Sequence, residues 1–162
     1  MSHVETVTTK ITALDALLAA ASDLQGIMRP AQTYRWYGRH VGDYPLPKGI
    51  TVDDLGKCDF KITFPGINYE VGVKLLPEGH YTLLYDFYGN GGQHDGQLLL
   101  QRCGAGMGTL LDHYQHHCIR LAAPKSQKVH KVASEADAVR LSRKLGQRIT
   151  YAGKLRTICV AA

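Results

Sequence analysis

Between residues 112 and 118 the chain reads Asp-His-Tyr-Gln-His-His-Cys, its densest grouping of side chains that can move protons or bind a metal. On a helix His113 and His117 stand at i and i+4, a spacing that lets two imidazoles approach one metal ion. The HExxH pattern is absent because Tyr114 follows His113, so a third ligand would have to come from elsewhere, for instance His94 or His80. At about 100° per residue, Leu110, Tyr114, Cys118 and Leu121 share the core face. His113, His117 and Arg120 flank that face, while Asp112 and His116 fall on the outer side, which predicts partly exposed histidines. A metal-dependent enzyme centred on this helix is the one route to catalysis that the spacing offers. No Ser/His/Asp or Cys/His set can be assembled, and no cofactor is implied.

A second concentration is of charge. Residues 1–119 carry nine Lys/Arg against twelve Asp/Glu, whereas residues 120–162 carry ten Lys/Arg against Glu135 and Asp137, a net of +8 within a chain total of +5. Lys125, Lys128 and Lys131 recur every third residue around His130, and Arg140, Arg143 and Lys144 follow on a predicted helix. Clustered cations attract a polyanion such as nucleic acid, because each neutralised phosphate releases condensed counterions. The alternative is the solvated face of a helix whose Ala138, Leu141 and Leu145 pack inward.

Three further stretches have possible chemistry. Tyr34, Trp36 and Tyr37 interleave with Arg35, Arg39 and His40, a mixture that can stack on bases and contact phosphates; in a strand it equally gives a core face of Tyr34 and Trp36 and a wet face of Arg35, Tyr37 and Arg39. LLLQRCGAGMGTLLDHY has the order apolar run, glycines, helix that holds phosphates, but Gly104, Gly106 and Gly108 give GxGxG without GK[ST], so a flexible entry into the helix is the better reading. Asp53 and Asp54 fit a turn cap. Cys58, Cys103, Cys118 and Cys159 form no CxxC pair and read as reduced thiols in apolar surroundings.

The elements that must position these groups follow from periodicity. Ser2 to Ile11 reads as a strand, and Thr12 as the cap of a helix with an apolar stripe of Leu14, Leu17, Leu18, Ala21 and Leu24, closed by Gly26. Cys58, Phe60, Ile62 and Phe64 alternate with polar residues, and after Pro65-Gly66 the alternation resumes at Ile67, Tyr69, Val71, Val73 and Leu75. Pairing Phe64 with Ile67 sets Ile62 opposite Tyr69, Phe60 opposite Val71, Cys58 opposite Val73, and Lys61 opposite Glu70 on a wet face. A third strand follows Gly79, with Tyr81, Leu83, Tyr85 and Phe87 inward, completing an antiparallel meander covered on one face. Residues from about 89 to 108 hold seven glycines and read as a loop, a natural contact for a partner. A helix over about Thr109 to Ala123 comes next, then one from Ser134 as cap to Leu145 before Gly146. Strands over Arg148–Tyr151 and Leu155–Val160 close the chain around Ala152-Gly153-Lys154.

These readings predict an α+β fold in a single domain over residues 1–162: an antiparallel sheet, a meander over about 57–88 plus terminal strands, packed by two or three helices, with a basic C-terminal quarter at 120–162. No window reaches the ~18 apolar residues of a membrane helix, and MSHVETVTTK lacks the features of a signal peptide, so a cytoplasm-like setting is expected. The ordered landmarks MSHVETVTTKITALDALLAA, CDFKITFPGINYEVGV, the aromatic-rich strand after it, LLDHY and the final strand pair resemble the chloroplast hypothetical reading frame thirty-five family, whose relatives occur in plastids, bacteria and bacteriophages. The resemblance implies an α+β fold and a cytosolic or stromal setting, and supplies no catalytic residues. The glycine-rich insertion and the helix histidines depart from the family pattern. A well-specified fold without an assembled catalytic set leads to the expectation of a non-enzymatic binding or adaptor protein acting through a protein partner. Nucleic-acid binding by the basic quarter and a metal enzyme on the histidine helix are the alternatives.

Overall fold

The computed structural model describes residues 4–38, 45–88 and 95–162. In chain order it contains β1 (Val4–Thr6), α1 (Leu14–Asp23), β2 (Ile27–Pro30), β3 (Phe60–Thr63), β4 (Val71–Leu75), β5 (Tyr81–Asp86), α2 (Asp95–Cys103), α3 (Gly108–Ala122), β6 (Gln127–Val132), α4 (Glu135–Leu145) and β7 (Arg156–Ala161). The first five strands form one antiparallel sheet in the order β1-β5-β4-β3-β2, and β6 pairs with β7 in a separate two-stranded sheet. The α+β class expected from periodicity is the class observed.

The main core lies between one sheet face and α1, α2 and α3. Ile62, Val71, Val73, Leu83 and Tyr85 meet Ala16, Leu17, Ala20 and Ala21 of α1, Leu99 and Cys103 of α2, and Leu110 and Tyr114 of α3. The stripe on α1 is rotated from the expected one, because small alanines allow α3 to lie close while Leu18 is 52% exposed. Thr12 does not cap α1. Ala13 holds the N-cap position without a side-chain bond, and the backbone amides of Thr12 and Ala13 donate instead to the Tyr114 hydroxyl at 3.0 and 3.3 Å. The first strand is likewise shorter than expected, β1 being joined by a lone bridge from Ile11 to Tyr81.

The expected hairpin register is off by two residues. Phe60 pairs with Val73 and Ile62 with Val71, because Asn68 and Glu70 send their backbone amides elsewhere, to the Asp95 carboxylate and the Arg35 carbonyl. A shift of two preserves the inward face of Phe60 and Ile62, but Cys58, expected on that face, lies on the other; Lys61 still reaches Glu70 diagonally at 3.0 Å. Nor is the second face of the sheet wet. Tyr34, Ile50 and Cys58 cover Leu84 there, and Gly72 makes room, since a Cβ at that position would stand 2.5 Å from the Tyr34 ring. Glu70 is consequently 3% exposed and is neutralised by Lys61.

The glycine-rich stretch contains a helix. Leu99 and Cys103, one turn apart on α2, are fully buried, and this apolar anchoring outweighs the glycine content. Gly96 serves close packing, because a Cβ there would collide with the Tyr88 carbonyl. Residues 89–94 lie outside the described residues. At the C-terminus α4 is as expected, with the Ser134 hydroxyl accepting from the Asp137 amide and Gly146 left-handed at φ 64°. Arg148–Tyr151 is no strand, however. The Ser142 hydroxyl ties down Ile149 through both its amide and its carbonyl, and β7 pairs with the lysine-bearing β6, from Gln127 opposite Ala161 to Val132 opposite Arg156.

Candidate functional site

Tyr114 fastens α3 to the start of α1, and the helical repeat then carries His113 and His117 to the other end of α1, where Asp23 is the last residue. Asp23 Oδ2 lies 2.7 Å from His113 Nδ1, 2.9 Å from His117 Nε2 and 2.7 Å from the Lys131 ammonium of β6. One turn from His113 on the outer side, His116 sets Nδ1 2.9 Å from the Thr157 hydroxyl of β7. Side chains from α1, α3, β6 and β7 thus converge where the β6–β7 hairpin meets the body. The histidines expected to be partly exposed are buried, His116 included at 4% exposure, because the hairpin covers the outer side of α3. Leu121, expected in the core, is 64% exposed, lying beyond the hairpin's reach.

The electrostatics follow from this geometry. Partial burial acts to raise the Asp23 pKa, but hydrogen bonds from Lys131, His113 and His117 outweigh it and hold the carboxyl far below the ordinary carboxylate range. For His113 burial is the larger influence and lowers the pKa despite Asp23; His116 is lowered by burial and then by His117 and Lys131. The ionised Asp23 accepts from Lys131, whose ammonium also stands 3.1 Å from His113 Nδ1. One ring nitrogen of each of His113 and His117 thus faces a carboxylate that also holds a lysine ammonium. Among the described residues no group of three or more His, Cys, Asp or Glu is placed to hold a metal ion. His94 lies outside the described residues, and His80 sits at the β4–β5 turn.

The six cations singled out by sequence separate into two kinds. Lys131 is spent on Asp23, whereas Lys125, Lys128, Arg140, Arg143 and Lys144 are exposed. They stand on a small unit whose own core is Val132, Ala138 and Leu141, flanked by Leu145, Ile149, Tyr151 and Ile158. Arg140 pairs with Asp137 at 2.6 Å along the helix. Between β6 and α4 lies a cleft of about 260 Å³ lined by His130, Lys131, Asp137, Arg140, Leu141 and Lys144. His130 is one of its lining residues, and the Nε2 of that ring is buried with no hydrogen-bond partner.

The other candidates resolve into packing. Gly104 ends α2, its amide bonding Leu100 and its φ at 79°, so a helix precedes α3 in place of the strand that a phosphate loop needs. Tyr34 is buried, Trp36 packs on the second core, and Arg35 reaches Glu70. Tyr37 is 48% exposed but stacks edge-on against Tyr88, while Arg39 and His40 lie outside the described residues. Asp54 completes a capping box with Thr51, whose amide and hydroxyl, with Lys74, bring its carboxyl down to about 2 against the opposing effect of burial. The cysteines are free, with Cys58 and Cys103 buried, Cys118 half-buried and Cys159 exposed, the last departing from the apolar surroundings expected.

Sequence reasoning missed Asp23. Its signal was a local conflict: a carboxylate at a helix C-terminus opposes the helix dipole and needs cations from elsewhere in the fold. No protein-family model matches the chain, and no curated protein or solved structure matches it.

Proposed function

We propose that the protein binds nucleic acid as a polyanion through the β6–α4–β7 unit. The observation that carries this reading is the use made of the C-terminal charges. Of the nine Lys/Arg in residues 124–162, eight are exposed, and among the described residues only Arg140 of those eight has an ion-pair partner. Folding the unit consumes one cation, Lys131, and leaves the rest on a surface whose only carboxylates are Glu135 and Asp137. A solvated helix face does not account for this, because Lys125 and Lys128 come from the strand side and Arg148, Lys154 and Arg156 from the return of the chain. The glycine-rich segment behind the adaptor reading offers less, since α2 takes its second half into the core.

Contacts of this kind read phosphate charge and give little sequence preference. Single- and double-stranded oligonucleotides of unrelated sequence are expected to bind at about 50 mM salt, where non-specific affinity is strongest. The combined variant Lys125→Ala, Lys128→Ala, Arg143→Ala, Lys144→Ala is expected to weaken both to a similar degree, measured by fluorescence anisotropy. Absence of binding by the native protein at that salt refutes the reading.

A further inference from the structure

We infer that the cleft between β6 and α4 is a seat for one phosphoryl group, with His130 as its floor. The inference deepens the polyanion reading and rests on it for the location of the ligand. His130 alternates with Lys131 along β6, so Lys131 turns toward Asp23 while His130 turns toward α4. Its Nε2 is buried and has no hydrogen-bond partner, a condition that costs free energy unless something occupies the cleft, since buried polar groups are ordinarily paired.

The surroundings specify the occupant's charge. Arg140 and Lys144 lie one turn apart on α4 and both line the cleft. The single carboxylate, Asp137, is already engaged: Oδ2 accepts from the Ala133 amide at 3.1 Å and Oδ1 from Arg140 Nη2 at 2.6 Å. It therefore orients the guanidinium, leaving the other Arg140 donors for a ligand. Lys144 has no ion-pair partner among the described residues. Arg140, Lys144 and an imidazole, with Lys131 at the edge held by Asp23, around about 260 Å³ match a small tetrahedral anion better than an apolar ligand, for which pockets are typically larger, from ~300 Å³ upward. An Nε2–H donating to one phosphoryl oxygen gives the unpartnered nitrogen an acceptor, with Arg140 and Lys144 for the other oxygens. The source of that group can be a nucleic-acid 5′-phosphate or a free phosphate.

The test uses the full chain in two measurements. In the first, the His130 ring nitrogens are followed by ¹H–¹⁵N correlation NMR during titration with inorganic phosphate against chloride of matched ionic strength; a saturable shift specific to phosphate is expected. In the second, anisotropy compares one single-stranded oligonucleotide with a 5′-phosphate and with a 5′-hydroxyl. The 5′-phosphate is expected to bind about tenfold tighter, and His130→Leu, which removes the donor, to abolish that preference. A phosphate-specific His130 shift without a 5′-phosphate preference supports the seat and assigns it to free phosphate. Equal affinities with no phosphate-specific shift overturn the seat while leaving nucleic-acid binding intact. If neither strand binds, the polyanion reading falls, and the His130 titration alone decides the seat.

Discussion

The body of the molecule and its C-terminal unit solve the problem of staying folded in opposite ways. The body buries a continuous apolar core from five strands and three helices. The unit of β6, α4 and β7 buries only Val132, Ala138 and Leu141 and is held to the body by polar side chains, Asp23 with Lys131 and His116 with Thr157. Where apolar area is scarce, a polar cluster fixes position: it is directional, so it specifies how the hairpin sits, and it responds to pH and to partner charges in a way that an apolar core does not. The division also fits the proposed role, since the element that meets the polyanion can carry exposed cations without disturbing the core.

The largest effects that test this contrast are in the body. Leu83 is fully buried in the main core, and Leu83→Ala is expected to cost about 3–5 kcal/mol, lowering the melting temperature by about 6–20 °C in one cooperative transition. Leu141→Ala in the small core should cost about 2–3 kcal/mol, and hydrogen exchange should rise in residues 127–161 while β3–β5 stay protected. Uniform loss of protection in both regions would show that the C-terminal unit is not a separately held element.

Asp23→Asn comes next. It leaves Lys131 without its carboxylate and gives the two imidazoles a weaker acceptor, and with a quarter of the Asp23 side chain exposed the expected loss is about 1–3 kcal/mol. Chemical denaturation of the native and variant chains measures it. A variant as stable as the native chain would remove the cluster from the account.

Smaller still is the pH dependence, and its sign is fixed by the cluster. The folded pKa values of His113 and His116 lie below their ordinary 6.5, so the unfolded chain takes up protons first and stability falls as pH drops through and below about 6.5. Asp23, also lowered in the folded state, contributes stability that is present above its ordinary 3.8 and is lost as pH falls further. Denaturation midpoints at pH 7.5, 5.5 and 4.5 should decline in that order, and the step between the first two should shrink in His113→Gln. A rise in stability on acidification from pH 7.5 to 5.5 would contradict the lowered pKa values of His113 and His116 in the folded chain.

How far the sequence could be read follows the same divide. Alternation in Phe60 to Thr63 and Tyr81 to Phe87 marked strands and their inward faces, because a half-buried strand writes its period into the chain. The two-residue register shift left no trace there, since Asn68 and Glu70 bond to groups distant in sequence. Ser134, Asp137 and Gly146 announced α4 by local capping chemistry. β6 was missed as a strand, because Lys128, His130 and Lys131 resemble a solvated tail unless the cover provided by α3 and α4 is known. The histidines were visible, but their partner Asp23 is ninety residues away from His113, and only the packing of α1 on α3 joins them.

The central claim is that the exposed cations of the C-terminal unit, and not Lys131, bind phosphate charge, and the salt dependence of nucleic-acid affinity tests it most directly. Each phosphate contact adds about 0.7–0.9 to the slope of log affinity against log salt. Replacing Lys125, Lys128, Arg143 and Lys144 together by Ala is therefore expected to flatten the native slope by about three units, while Lys131→Ala, which removes an internal ion pair, should lower stability and leave the slope within about one unit of native. Equal slopes for the native and fourfold-substituted chains, or a slope lost on substituting Lys131 alone in a chain that remains folded, would contradict the account.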